Sequence, residues 1–151
     1  VKVSSRGEYA LRALLVLGQS CGEVLTIGEI ADMTLVSCNY LEQIMLQLKN
    51  LGYVRSKRGM NGGYMLRTSP KGICIGDVIR NLEGPLSPMS CASVTAYEPC
   101  PLEAACMLQP LWILVRETVA RVLDETTLDD LITGAVVTRS GGKIIESSHD
   151  G

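Results

Sequence analysis

Residues 40–66 read YLEQIMLQLKNLGYVRSKRGMNGGYML, and the period of the apolar residues changes halfway along. Leu41, Ile44, Met45, Leu48 and Leu51 recur at intervals of three and four, which puts them on one face of an α-helix. Gly52 follows, where a helix that closes in a left-handed cap favours a residue without Cβ. Beyond it, YVRSK and GYMLR flank RGMNG, and Asn61-Gly62 is a strong short hairpin signal. This stretch predicts a helix running into a basic β-hairpin.

Two shorter helical patterns precede it. SSRGEYALRALLVLGQS predicts a first helix, with Ser5 and Glu8 in capping-box positions and Gly18 and Gly22 marking its end. TIGEIADMT repeats the start signal with Thr26 and Glu29, and Ser37 is placed to cap the third helix. Helix, turn, helix and basic hairpin make the plan of a winged helix-turn-helix domain, in a chain that is mainly α. The third helix suits the major groove of double-stranded DNA, which is wide enough for an α-helix. Asn39, Tyr40, Glu42, Gln43 and Gln47 lie on or near the face opposite its apolar stripe, with Ser37 at its start. The hairpin offers Lys57 and Arg58 to phosphates or a minor groove, and Asn61 and Gly62 sit at a tip that permits close backbone approach.

Charge supports that assignment. The chain has 151 residues and a net charge of −2, but residues 1–70 carry eight Lys/Arg against five Asp/Glu. Lys49, Arg55, Lys57, Arg58 and Arg67 fall in a span with no acid between them, and such a patch attracts polyanions. Apolar residues make up 46%, enough for a globular core; without Phe it must be built from Leu, Val, Ile, Met and Ala. The most apolar run, ALRALLVLG, is short and interrupted by Arg12, so neither a membrane span nor a signal peptide is expected. A reducing, cytoplasmic setting is the expectation, with the six cysteines as thiols or metal ligands.

Downstream, GDVIRNLEG predicts a fourth helix from Asp77 to Gly84. PLSPMSCASVTAYEPCP reads as a loop, LEAACMLQ as a helical turn or two, and Pro110 opens a long helix, PLWILVRETVARVLDE. Its apolar face of Leu111, Leu114, Val115, Thr118, Val122 and Leu123 is wider than a lone appendage can hide. A homodimer on a palindromic promoter site follows, since two-fold symmetry in the protein matches two-fold symmetry in the DNA. The alternative is a helix folded onto its own domain. Thr127 is placed to cap a last short helix, LDDLITG. The expected organisation is a DNA-binding domain at 1–84, a cysteine-bearing loop at 85–109, a dimerisation helix and short terminal helix at 110–137, and a disordered tail at 138–151.

Cys91, Cys100 and Cys106 stand in that loop, with eight and then five residues between them. This is not the paired spacing of structural zinc. Three thiolates on one loop suit a larger object, such as an iron–sulfur cluster. Cys21, Cys38 and Cys74 read as ordinary small apolar residues, Cys38 with some exposure. Nothing points to an enzyme: there is no CxxC, no nucleotide-binding loop, and no His–carboxylate pair in a cleft-forming pattern.

YLEQ…GGYML resembles the recognition helix and wing of the Rrf family of bacterial winged-helix regulators. SSRGEYALRALL, GDVIRNLEGP and LWILVRETVARVLDETTLDDL match as well, and the likeness to the family, most of all to members like the iron–sulfur cluster regulator IscR, runs from about Val3 to about Leu131. The resemblance implies a homodimer with the long helix crossing its partner, and places Glu42 and Arg58 at positions that take part in base reading. It implies that Cys91, Cys100 and Cys106 hold a cluster, 2Fe–2S ahead of 4Fe–4S, although the first cysteine interval is longer than the family's common one. Where IscR-like members often carry a histidine after the last cysteine, this chain has MLQP, and its one histidine is His149. The fourth ligand is then sought at Glu8 of the partner subunit, the alternative being that Glu8 only caps its helix; Gln109, Glu98 and a solvent-derived ligand are further options. The expected function is cluster-sensing transcriptional regulation of iron–sulfur biogenesis genes. A nitric-oxide or iron-responsive repressor, or a cluster-free repressor of cysteine metabolism, are the alternatives.

Overall fold

The computed structural model describes residues 2–138 and 143–144. The winged helix-turn-helix plan is present. Helices α1 (Ser5–Gln19), α2 (Ile27–Thr34) and α3 (Cys38–Asn50) are followed by the antiparallel strands β1 (Val54–Lys57) and β2 (Gly63–Leu66). The register runs from Val54↔Leu66 to Lys57↔Gly63, leaving residues 58–62 as the tip. There Gly59 takes φ 111°, and the Gly62 N–H donates to its carbonyl at 3.0 Å. Leu25 and Tyr64 exchange backbone bonds of 2.9 and 2.7 Å, which fastens the wing to the chain ahead of α2. A side chain at Gly63 would strike the Leu25 carbonyl, so only glycine permits this approach.

The caps of α2 and α3 form as expected. Thr26 and Glu29 close a complete capping box, and the Ser37 hydroxyl accepts the Tyr40 N–H. Gly52 takes φ 86° just past α3. Four residues of the α3 stripe, Leu41, Ile44, Met45 and Leu48, are at most 1% exposed, while Leu51, just past the helix, is 37% exposed. The four pack with Leu14 and Leu17 of α1 and Ile30 of α2 into an aliphatic core.

The start of α1 differs from expectation. Its cap is Ser4, whose hydroxyl accepts the Gly7 N–H, so the third helical residue is Gly7 and no local capping box exists. A distant carboxylate takes that part: Glu83 accepts the Ser4 N–H at 2.9 Å and the Ser4 hydroxyl at 2.6 Å. Glu8 is thereby left to pair with Arg12, one helical turn on, at 2.8 Å. Helix α1 ends at Gln19, between Gly18 and Gly22 as expected, and a side chain at Gly18 would meet Ile132.

Helix α4 (Ile75–Glu83) begins before Asp77. The Ile75 N–H donates to Thr126, and the Leu128 N–H to Ile73, so pairing with a distant segment sets the start. Gly84, at φ 93°, ends it as expected. Helices α5 (Gln109–Asp124) and α6 (Leu128–Thr133) follow. Thr127 and Asp130 form a capping box on α6. No residue of α5 is buried. Val137–Thr138 (β3) pairs with Lys143–Ile144 (β4). The expectation of a disordered tail otherwise falls outside the described residues, as does His149. Among the described residues no helix is long and apolar enough to cross a membrane.

Candidate nucleic-acid interface and cysteine loop

The candidate DNA-reading residues divide by burial. Ser37, Asn39, Glu42 and Gln43 are exposed on α3, as are Lys57, Arg58 and Asn61 on the wing, while Gly62 at the tip is half-buried. Tyr40 is half-buried too, its ring edge-on to Tyr9 of α1 with centroids 5.8 Å apart, so packing also accounts for its place. Gln47 accepts the Arg6 Nε–H at 2.9 Å, which ties α3 to α1. Lys49 donates to Ser56 at 2.9 Å across the helix–wing junction. The first tie joins α3 to α1 and the second joins α3 to the wing.

The cysteine loop is organised by a residue the sequence reading passed over. Glu103 accepts bonds from the Tyr97 hydroxyl at 2.6 Å, from the Gln109 amide at 2.8 Å and from the Cys100 N–H at 3.3 Å. Gln109 also donates to the Cys91 carbonyl at 3.0 Å, and the Cys106 N–H donates to the Glu103 carbonyl at 3.2 Å. Glu103 and Gln109 therefore tie together the backbones of all three loop cysteines. The bonds from Tyr97 and then Gln109 hold the Glu103 carboxyl below its usual range, and the same carboxylate pushes the Tyr97 hydroxyl up. A Glu in a single turn has no periodicity to mark it; its position three residues after Cys100 is the only signal it left.

Cys100 is exposed, and Cys91 and Cys106 are half-exposed. Three free thiols on one fastened loop fit a soft, thiolate-binding group in donor type. They are not gathered within 4.8 Å of one another; the donor group at that spacing among the described residues is Cys74, Asp77 and Asp124. That group is an unpromising metal site, because the Arg80 guanidinium binds both oxygens of Asp124, at 2.6 and 2.8 Å. Cys21 and Cys74 depart from the apolar reading, and Cys38 has the exposure expected of it. Cys21 and Cys38 are exposed, Cys21 at φ 53° in a turn, and Cys74 is half-buried with Sγ 3.4 Å from the Asp124 carbonyl.

Comparison with known proteins accords with this geometry. Residues 3–134 match the model of the Rrf2 family, described as an iron-dependent transcriptional regulator. The HTH-type transcriptional regulator CymR of Bacillus subtilis (strain 168) is 42% identical over 132 residues, covering 87% of this chain and 89% of CymR. The solved structure of CymR, the global cysteine regulator of B. subtilis, superposes with a TM-score of 0.73 at 37% identity, covering 88% of this chain and 97% of that one. The IscR of T. potens superposes with a TM-score of 0.66 at 32% identity, covering 88% and 87%. The likeness to IscR thus holds for fold and family, while CymR is the nearer of these two. The chain belongs to the Rrf2 family of DNA-binding, winged helix-turn-helix transcriptional regulators, and is not an enzyme.

Proposed function

We propose that this regulator binds a palindromic promoter site as a homodimer in the cytoplasm and controls genes of cysteine metabolism. The observation that carries this reading is the 42% identity to CymR across nearly the full length of both chains. The exposed α3 residues and wing arginine supply the DNA face, with Glu42 and Arg58 as base readers and Lys57 on phosphate. The test is selection of bound fragments from genomic DNA. Promoters of cysteine uptake and synthesis genes are the expected yield. Recovery of iron–sulfur assembly promoters alone would overturn the assignment.

A second reading is favoured by one specific feature, the fastened loop with its three free thiols. In it Cys91, Cys100 and Cys106 hold an iron–sulfur cluster, 2Fe–2S ahead of 4Fe–4S, with Glu8 of the partner subunit as the candidate fourth ligand. A bound cluster would supply a redox-sensitive and labile centre, and Glu103 and Gln109 would hold the ligand loop in place. Protein made without oxygen should then contain iron and acid-labile sulfide, and Cys100→Ala should lose both while remaining folded. Stoichiometric zinc, or no metal, would eliminate this reading.

A further inference from the structure

A cavity of about 350 Å³ opens between α4, the loop after it and α5. Its volume lies at the small end of the range of ligand sites, roughly 300–1,000 Å³. The lining is chemically mixed. Leu86 and Ala120 supply apolar wall, and Arg80, Arg116, Asp124 and Ser93 supply polar groups.

The polar groups are anchored and yet have capacity left. Arg116 donates to the Ala92 carbonyl and to Glu117 at 3.2 Å. A guanidinium has five N–H groups, so it can still take a carboxylate. Glu117 is 61% exposed, so water screens its charge on Arg116, which is itself only 19% exposed. Asp124 takes two bonds from Arg80, which offsets its charge, but a carboxylate has about four acceptor positions, so it can still accept N–H bonds from a ligand. Ser93 is 6% exposed, and its oxygen accepts the Ala96 N–H at 3.0 Å, leaving the hydroxyl hydrogen to donate. One cavity thus offers a site for an anionic group, an acceptor for ligand N–H groups and an apolar wall.

The geometry points to a binding site for a free α-amino acid, its carboxylate on Arg116 and Ser93, its ammonium toward Asp124 and its side chain against Leu86 and Ala120. The walls give the site a consequence. Arg80 belongs to α4, Ser93 to the cysteine loop, and Arg116 and Asp124 to α5. A ligand here bridges α4, the cysteine loop and the helix with the exposed apolar face. It therefore biases whichever relation of these parts binds it better.

The site is independent of which genes the protein controls, and its test needs no operator. The full chain is melted with each standard L-amino acid at millimolar concentration. At least one should raise Tm saturably, by about 5 °C or more at a hundredfold excess over its Kd. Calorimetry should then give one site per chain. Arg116→Lys should weaken that binding about tenfold by losing the two-pronged contact. Ala120→Leu fills the cavity, and Val94→Glu places a competing carboxylate at its rim from a residue 76% exposed. Both should abolish the shift, and the rim variant guards against a packing defect in the other. The proposal is overturned if no amino acid shifts Tm, or if the shift survives unchanged in Val94→Glu and Ala120→Leu.

Discussion

Arg80 and Asp124 meet through two parallel bonds, Nη1 to Oδ1 at 2.6 Å and Nη2 to Oδ2 at 2.8 Å. The pair joins α4 to the last turn of α5, beside the backbone bond from Ile75 to Thr126. The hydrogen bonds that Arg80 donates to Asp124 also hold the guanidinium firmly charged. The side chains are 28% and 42% exposed, so solvent screens the attraction and the pair is worth about 1 kcal/mol. Arg80→Met should lower Tm by roughly 2–4 °C for a chain of this size. A double-mutant cycle with Asp124→Asn isolates the pair. A coupling energy near zero would show that backbone pairing alone joins the two helices.

Glu103 gives the cysteine loop a pH dependence of definite sign. Its carboxyl is held below the ordinary value of 4.5 by the Tyr97 and Gln109 bonds. Those bonds therefore contribute fully above about pH 4.5 and are lost as pH falls through the lowered value. The Tyr97 ring resonances should stay constant from neutral pH to about 4.5 and move only below it. In Glu103→Gln the movement should disappear, and the Cys100 amide should exchange faster at neutral pH. A titration at the ordinary carboxylate value, in a protein with unchanged Cys100 protection, would remove Glu103 from its place at the centre of the loop.

The fold was legible where one short stretch carried its own pattern. The α3 stripe, Gly52 and the tip at 58–62 were each marked by local spacing, and the structure uses them as such. What escaped was set by distant partners. Ser5 and Glu8 had capping-box spacing, yet Glu83, from the far end of α4, supplies the carboxylate to Ser4. Asp77 looked like a helix start, yet pairing of Ile75 with Thr126 moved the start earlier. The three cysteines were visible as a cluster in sequence, while Glu103, which ties their backbones, was not. A hydrogen-bonding carboxylate in a single turn follows no period, so only the folded loop reveals it.

On the wing, Arg58 is exposed at the tip and Lys57 ends β1. Lys57→Ala should weaken binding to specific and random duplexes alike and reduce the salt slope by about 1, as loss of one phosphate contact does. Arg58→Ala should cost about 1–3 kcal/mol on the specific site and less on random DNA, as a base contact does. Titrations at several salt concentrations check both. Uniform weakening by Arg58→Ala would make it a second phosphate contact.

Helix α5 carries the prediction about assembly. Leu111 is 48% exposed, Leu114 57% and Val122 41%, and no residue of this 16-residue helix is buried within its own chain. The opposite side of α5 is anchored, since Arg116 holds the Ala92 carbonyl and Ala120 and Leu123 pack on the core. Removing this apolar face from water contributes about 25 cal/mol for each Å² buried, and in the proposed homodimer a second copy of the same helix would cover it. Leu114→Glu should leave Tm of the isolated chain nearly unchanged, because the side chain already faces solvent there. In the proposed dimer it would set two carboxylates against each other across the axis. Sedimentation should show a monomer, and affinity for a palindrome should fall to that of a half-site. A Leu114→Glu protein that sediments as a dimer and binds the palindrome normally would place the interface elsewhere on the molecule.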